Sequence, residues 1–290
     1  MKNKIISFWK PLFAVVVWGF SFIATKNALK EVSPVVIVFI RQILGIGFLT
    51  IVAVKKRNDF AVNVKDHKRI FILALIASVH LWIQVTGLQW TSASNTGWII
   101  GTTPVFMAIL AFIVFKEKMT TQQIIGIVIS FFGLLTLISK GDFLSIDLIK
   151  NKGDALVVAS SGTWAIYSIM NKKIILHYSP IMTTLYMFLY VSIILAPFTI
   201  NEQNINAVVN LSFSGWISIL FLGIICSGAA YALWAQTLKE MSATQTGVFL
   251  YLEPFVTLLG AWILLNEHIT VLTFLSGITI IGGVVLVNRK

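Results

Sequence analysis

Ten apolar runs take up most of this 290-residue chain, each about as long as a helix must be to cross a bilayer, with only short polar stretches between them. They cover about residues 11–29, 34–54, 70–89, 95–115, 121–139, 154–170, 179–198, 214–236, 243–265 and 271–287. With 57% hydrophobic residues against 11% charged ones, the chain has too few polar side chains to clothe a soluble globule of this size. The expected fold is an all-α membrane protein. A net charge of +11 would point to nucleic acid in a soluble protein, but here its distribution decides otherwise. When alternate loops are assigned to opposite sides, one side collects sixteen Lys and Arg and the other five. By the positive-inside rule both termini are expected in the cytoplasm, with the chain in the cell inner (plasma) membrane. The first thirty residues also resemble a secretory signal, with lysines before an apolar stretch. However, no small-residue cleavage site follows, and the segment has a partner later in the chain.

That partner belongs to a duplication. Subtracting 150 carries Pro254 onto Pro104, Gly247 onto Gly97, Thr246 onto Thr96, Ser242 onto Ser92, Glu267 onto Glu117 and Gly283 onto Gly133. Nearer the start the offset is 146, pairing Trp164 with Trp18, Lys172 with Lys26 and Ser179-Pro180 with Ser33-Pro34. Each copy holds five spans. An odd number means that the second copy enters the membrane upside down, so two inverted five-helix repeats around a central cavity are expected, as in many secondary transporters. The expected units are residues 1–140 and 154–290, joined by an external linker at 141–153.

Several residues carry a family resemblance: W-G-x-x-F at Trp18–Phe22, Arg41 in the second span, apolar runs with a central proline ending in E-x-x-T (Glu117–Thr120 and Glu267–Thr270), and glycine-studded last spans. The chain resembles the drug/metabolite transporter superfamily, and within it the ten-helix EamA-type transporters, over nearly its whole length. The resemblance implies an exporter of small metabolites, with the fifth and tenth helices peripheral and the others around the cavity. It does not imply one substrate; amino acids, amines and drugs all remain open.

Glu253 is the most informative single residue. A charge in the middle of a spanning helix costs about 3 kcal/mol even on the lenient insertion scale, so such a residue is a functional candidate by default. Glu253 would pair with a cationic group or couple transport to a proton; alternatively it is hydrogen-bonded to a neighbouring helix and only locks packing. Its counterpart in the first copy is Thr103. Arg41 could grip a substrate carboxylate, pair with Glu253, or snorkel to the external interface. His80 and Gln84 are four apart and share a helix face, either as a cavity wall or as links to neighbouring helices.

Trp18 with Phe22, Trp164 with Tyr167, and Tyr231 with Trp234 pair one helical turn apart inside spans, where ring faces would suit alkylammonium groups or other rings. Trp9, Trp90 and Trp216 fall at span ends, where interface anchors belong. The candidate solute-binding set is thus Trp18, Phe22, Arg41, His80, Gln84, Trp98, Thr103, Trp164, Tyr167, Tyr231, Trp234 and Glu253. Glu253 is also the candidate coupling group, and Pro104 and Pro254 are candidate hinges. Thr120 and Thr270 are expected as helix N-caps, with Glu117 and Glu267 placed to complement the helix ends that follow.

The expected partners are a small organic solute and membrane lipid. Protons as coupling ions and a homodimer stay open, and nucleic acid is not expected. No cofactor or metal is expected, since Cys226 is the lone cysteine and no second histidine or carboxylate stands one turn from His80. No phosphate-binding loop points to ATP drive. An integral-membrane enzyme would need a nucleophile or metal motif that is missing; a channel or non-transporting scaffold is the other alternative.

Overall fold

A computed structural model of the chain describes residues 2–139, 142, 149, 151–175, 177–265 and 270–289. Glu267 and most of the linker lie outside the described residues. Everything regular among the described residues is helical, as expected where lipid forces backbone groups to pair within their own segment. The helices are α1 (Lys2–Ala28), α2 (Pro34–Lys55), α3 (Val64–Gly87), α4 (Ala93–Ile100), α5 (Thr103–Phe115), α6 (Thr121–Ser139) and α7 (Lys152–Ile175). There follow α8 (Pro180–Thr199), α9 (Glu202–Val209), α10 (Phe213–Leu220), α11 (Ala230–Glu240), α12 (Ala243–Gly247), α13 (Leu252–Leu265) and α14 (Val271–Asn288). A π-helical stretch, Phe221–Ala229, joins α10 to α11, and a 3₁₀ turn, Val248–Tyr251, joins α12 to α13.

Eight stretches are long and apolar enough to cross a membrane, including Ala93–Phe115 (α4 with α5) and Phe213–Glu240 (α10 through α11). The expected runs at 154–170 and 243–265 are helical but are not among the eight. For α7 the reason is visible in its polar residues. Ser160, Ser161, Ser168 and Asn171 are buried against other helices, so α7 needs less lipid-compatible surface. The short α9 was not anticipated. It is capped by Asn201, has no buried residue, and holds Ile205 and Val209 exposed.

Helix starts follow the residues that mark them. Pro34 and Pro180 open α2 and α8, where a missing N–H costs nothing. Thr120 and Gln123 form both halves of a capping box, at 3.2 and 2.9 Å, and the Thr270 side chain accepts from the Thr273 N–H. Glu117 departs from expectation. Instead of serving the helix that follows it, its carboxylate accepts the Ala243 and Thr244 N–H groups at the start of α12, in the other half of the chain. Those N–H groups have no partner within their own helix, so the acid has crossed to where donors are free.

The helix pairings repeat. Helix α1 packs on α11 and α13, and α7 packs on α3, α4 and α5; α2 packs on α8, and α6 on α14. Gly97 lets α4 lie against Thr257 of α13, and Gly247 lets α12 lie against Met107 of α5. Adding 150 to 97 and subtracting it from 257 turns the first contact into the second. Gly126 against Gly283, and Gly133 against Ser276, exchange in the same way across the α6–α14 seam. In lipid, close backbone approach of this kind carries much of the association, because tails are as apolar as side chains.

Candidate functional site

Glu253 stands where a helix breaks and restarts. Helix α12 ends at Gly247, the chain tightens through Val248–Tyr251, and α13 begins at Leu252 with Pro254 as its third residue. In the first turn of a helix the missing proline N–H is no loss, so Pro254 marks the restart rather than kinking a continuous helix. The Thr257 hydroxyl ties this turn down, donating to the Glu253 carbonyl (2.9 Å) and to the Gly19 carbonyl on α1 (3.1 Å). The first half has the same break, since α4 stops at Ile100, a turn follows at Gly101–Thr102, and α5 opens on Thr103 and Pro104.

The break in the second half opens on a central cleft. It is lined by Trp18, Ser21, Phe22, Arg41, His80, Leu81, Gln84, Ile100, Trp164, Tyr231, Leu250 and Glu253, drawn from both halves of the chain. Its volume is about 30 Å³, room for one or two waters. A metabolite is larger than this space. Glu253 is buried, at 4% exposure, and its carboxylate makes no hydrogen bond or ion pair with any described residue. The alternative in which it locks packing through a neighbouring helix is thus not realised in this conformation.

Arg41 is equally buried at 4% exposure, so it does not snorkel. Its Nε donates to the Ser227 hydroxyl on the π-helical stretch at 2.8 Å, and it makes no ion pair with Glu253. An acid and a guanidinium group therefore line one cleft without meeting. Burying a charge without a partner costs several kcal/mol, which a bound counter-group would recover. His80 Nδ1 lies 3.0 Å from the Ser160 carbonyl. A carbonyl only accepts, so Nδ1 carries the proton and, in the neutral ring, Nε2 is left as an acceptor.

The aromatic wall is one interlocked unit. Trp18 and Trp164, equivalent positions of the duplication, meet edge to face at 5.0 Å. Tyr231 packs on both, at 5.7 and 5.4 Å, and the His80 ring lies 5.0 Å from Trp164. Such pairs each add about 0.5–1.5 kcal/mol beyond their burial. The Trp18 indole donates to the Cys226 carbonyl at 3.0 Å and Trp234 donates to Ser168 at 3.2 Å, whereas the buried Trp164 N–H has no partner.

Eight of the twelve candidate residues thus line the cleft. Tyr167 and Trp234 stand behind Trp164 as support, at 5.0 and 6.0 Å between rings. Trp98 and Thr103 do not line it, although each holds a buried donor without a partner. Sequence reasoning missed Ser21, Leu81, Ile100 and Leu250 in the lining, and Ser160 and Ser227 behind it. A signal was available: Ile100 and Leu250 are 150 apart, Ser160 and Ser227 each lie four residues before an aromatic of the wall, and Ser21 lies three after Trp18. Of the interface tryptophans, Trp9, Trp90 and Trp216 are all exposed, at 47%, 42% and 36%. Among the described residues no group of three or more His, Cys, Asp or Glu could hold a metal.

Comparison with known proteins supplies the context for this geometry. The EamA-like transporter family pattern matches residues 6–139 and again residues 151–289. An uncharacterized transporter from Archaeoglobus fulgidus is 30% identical over 279 residues, covering 95% of each chain. A probable amino-acid metabolite efflux pump from Escherichia coli K12 is 25% identical over 281 residues, 94% of this chain and 91% of the relative. A solved crystal structure, 14% identical, shares the fold over 98% of this chain and 96% of its own with a TM-score of 0.76. Matched in both halves by the family pattern and nearly end to end by its relatives, the chain belongs to the EamA-like transporter family, and it is a transporter rather than an enzyme.

Proposed function

We propose that this chain is a secondary exporter of small organic metabolites, working by alternating access between two inverted five-helix units, residues 1–140 and 154–290, with 141–153 as the external linker. One observation carries the reading: side chains from both halves converge on a single narrow cleft in which Glu253 has no partner. The twofold match to the family pattern and the contacts that exchange on adding 150 support the two-unit architecture. The contacts that exchange between the halves, with an odd number of spans in each unit, support an axis in the membrane plane. The name of the Escherichia coli relative favours amino acids among the candidate solutes. The lysine-rich loops favour cytoplasmic termini in the inner (plasma) membrane.

In this mechanism Glu253 takes up a proton or the cationic end of the solute, Arg41 faces the anionic end, and the Trp18–Trp164–Tyr231 wall packs its apolar part. The matched breaks at Pro104 and Pro254 act as hinges. The residues that line the cleft come from both halves of one chain.

The test is counterflow of labelled amino acids, amines and dyes in proteoliposomes. A carrier exchanges labelled for unlabelled solute and saturates. Flux without saturation, or none with any solute, would overturn the reading in favour of a channel or a scaffold. Cysteines at residue 60 and residue 145 should react from opposite faces of the membrane, with the buried Cys226 as a silent background. Labelling from one face would overturn the topology.

A further inference from the structure

A second cavity lies on the lipid-facing flank, away from the central cleft. It runs between α1, α13 and α14, encloses about 720 Å³, and is lined by apolar side chains such as Leu12, Val16, Phe255 and Val285. Water does not fill a groove that opens on hydrocarbon, so its occupant is an acyl chain or a side chain. One end is different. There the lining passes to Asn288 and Arg289, at the end of α14.

Two observations at that end point to a headgroup. Asn288 is 8% exposed; its amide nitrogen donates to the Val284 carbonyl at 2.9 Å, while its side-chain oxygen is buried without a partner. A buried acceptor left empty is costly, and it takes an N–H or O–H donor. Arg289 is exposed, forms no ion pair with a described residue, and offers a fork suited to phosphate. The α6 residue Gln122 holds this end in place, donating to the Leu286 and Arg289 carbonyls at 2.8 and 2.7 Å.

We propose that this groove binds one anionic phospholipid of the phosphatidylglycerol type, its acyl chain along α13 and α14, its phosphate on Arg289 and a headgroup hydroxyl on the Asn288 side-chain oxygen. The charge of Arg289 selects an anionic head, and the empty acceptor selects a head that carries donors. Phosphatidylcholine has a phosphate but neither a net charge nor a headgroup N–H or O–H, so it is the matched control. The site is separate from the cleft: the groove is lined by Leu252, Phe255, Val256 and Leu259 of α13, whereas Glu253 faces the cleft.

Native mass spectrometry of the full chain in detergent, titrated with phosphatidylglycerol or phosphatidylcholine of identical acyl chains, tests this. Wild type should retain one phosphatidylglycerol at least fivefold more than phosphatidylcholine. Arg289→Gln should abolish that preference, and Val285→Trp, which fills the groove, should lose the bound lipid altogether at an unchanged melting temperature. Equal retention of the two lipids by wild type, or undiminished phosphatidylglycerol on the filled variant, would overturn the proposal. These readouts use no transport, so they stand or fall separately from the cleft.

Discussion

Residues 93–115 and 243–265 are two editions of one stretch, and they differ where it matters most. Both begin on a serine N-cap, both carry a glycine that admits the other half, and both break just before a proline. At the break one has Thr103 and the other Glu253. Thr103 is fully buried and lines no part of the cleft, whereas Glu253 faces it. Shared backbone and unshared chemistry teach that packing is inherited from the duplication, while the charge is a one-sided addition. A similar asymmetry appears at Arg41, whose counterpart is the fully buried Met187.

The comparison can be broken most directly at its point of difference. Glu253→Gln should lower concentrative uptake in proteoliposomes by at least about tenfold, equivalent to about 1.4 kcal/mol, while Thr103→Val stays within about twofold of wild type. If the glutamine variant still concentrates solute normally at every pH, Glu253 has no coupling role. A next, smaller effect concerns the wall. Trp164→Ala should change the ratio of rates for an aromatic and an aliphatic solute about fivefold, and Trp216→Ala, at an exposed span end, should leave that ratio alone.

Packing at the shared glycines sharpens the comparison further. A Cβ at Gly97 would lie 3.1 Å from the Cβ of branched, doubly bonded Thr257; at Gly247 it would lie 3.0 Å from the sulfur of Met107. The Met107 Cβ is just as near, at 3.1 Å, but its thioether can swing aside, whereas the Thr257 hydroxyl is held by two hydrogen bonds that a shift would break. Gly97→Ala should therefore destabilise by about 1–3 kcal/mol, and Gly247→Ala by less, as read from melting temperatures in one detergent.

The smallest effect comes from a carboxylate that does have partners. Glu31, in the loop between α1 and α2, accepts the Ser212 N–H and hydroxyl at 2.7 Å each, and these bonds hold its carboxyl below the usual glutamate range. A group lowered in this way stabilises the fold above its unfolded pKa, and that contribution is lost as pH falls through the folded value. Glu31→Gln should lower the melting temperature slightly at neutral pH and leave it unchanged in strong acid, so that the acid limb becomes flatter. An unchanged acid limb would show that the Ser212 contact contributes nothing measurable.

Much of this could be read in the sequence because a bilayer leaves few choices. Apolar runs became helices where they were expected, Ser33-Pro34 and Ser179-Pro180 opened them, and the prolines of the two long stretches marked breaks. The exceptional cost of a buried charge singled out Glu253 and Arg41 before any coordinates. The role of Glu117 was misplaced for a physical reason: an acid before a helix favours any nearby free N–H groups, and the nearest were on α12, 126 residues away along the chain. Ser160 and Ser227 were overlooked because serine is common in helices. Only their meeting with His80 and Arg41 gives them a task.

The amino-acid sequence by itself determined a helical membrane protein, its duplication and the one-sidedness of its charge, since each depends on residue type and spacing along one chain. Tertiary structure alone decided that Glu253 and Arg41 share a cleft without pairing with each other, that Trp18 and Trp164 meet across the duplication, and that an apolar groove between α1, α13 and α14 ends at Asn288 and Arg289. Those are facts about distance between segments far apart in the chain, and helix packing, not local preference, fixes such distances.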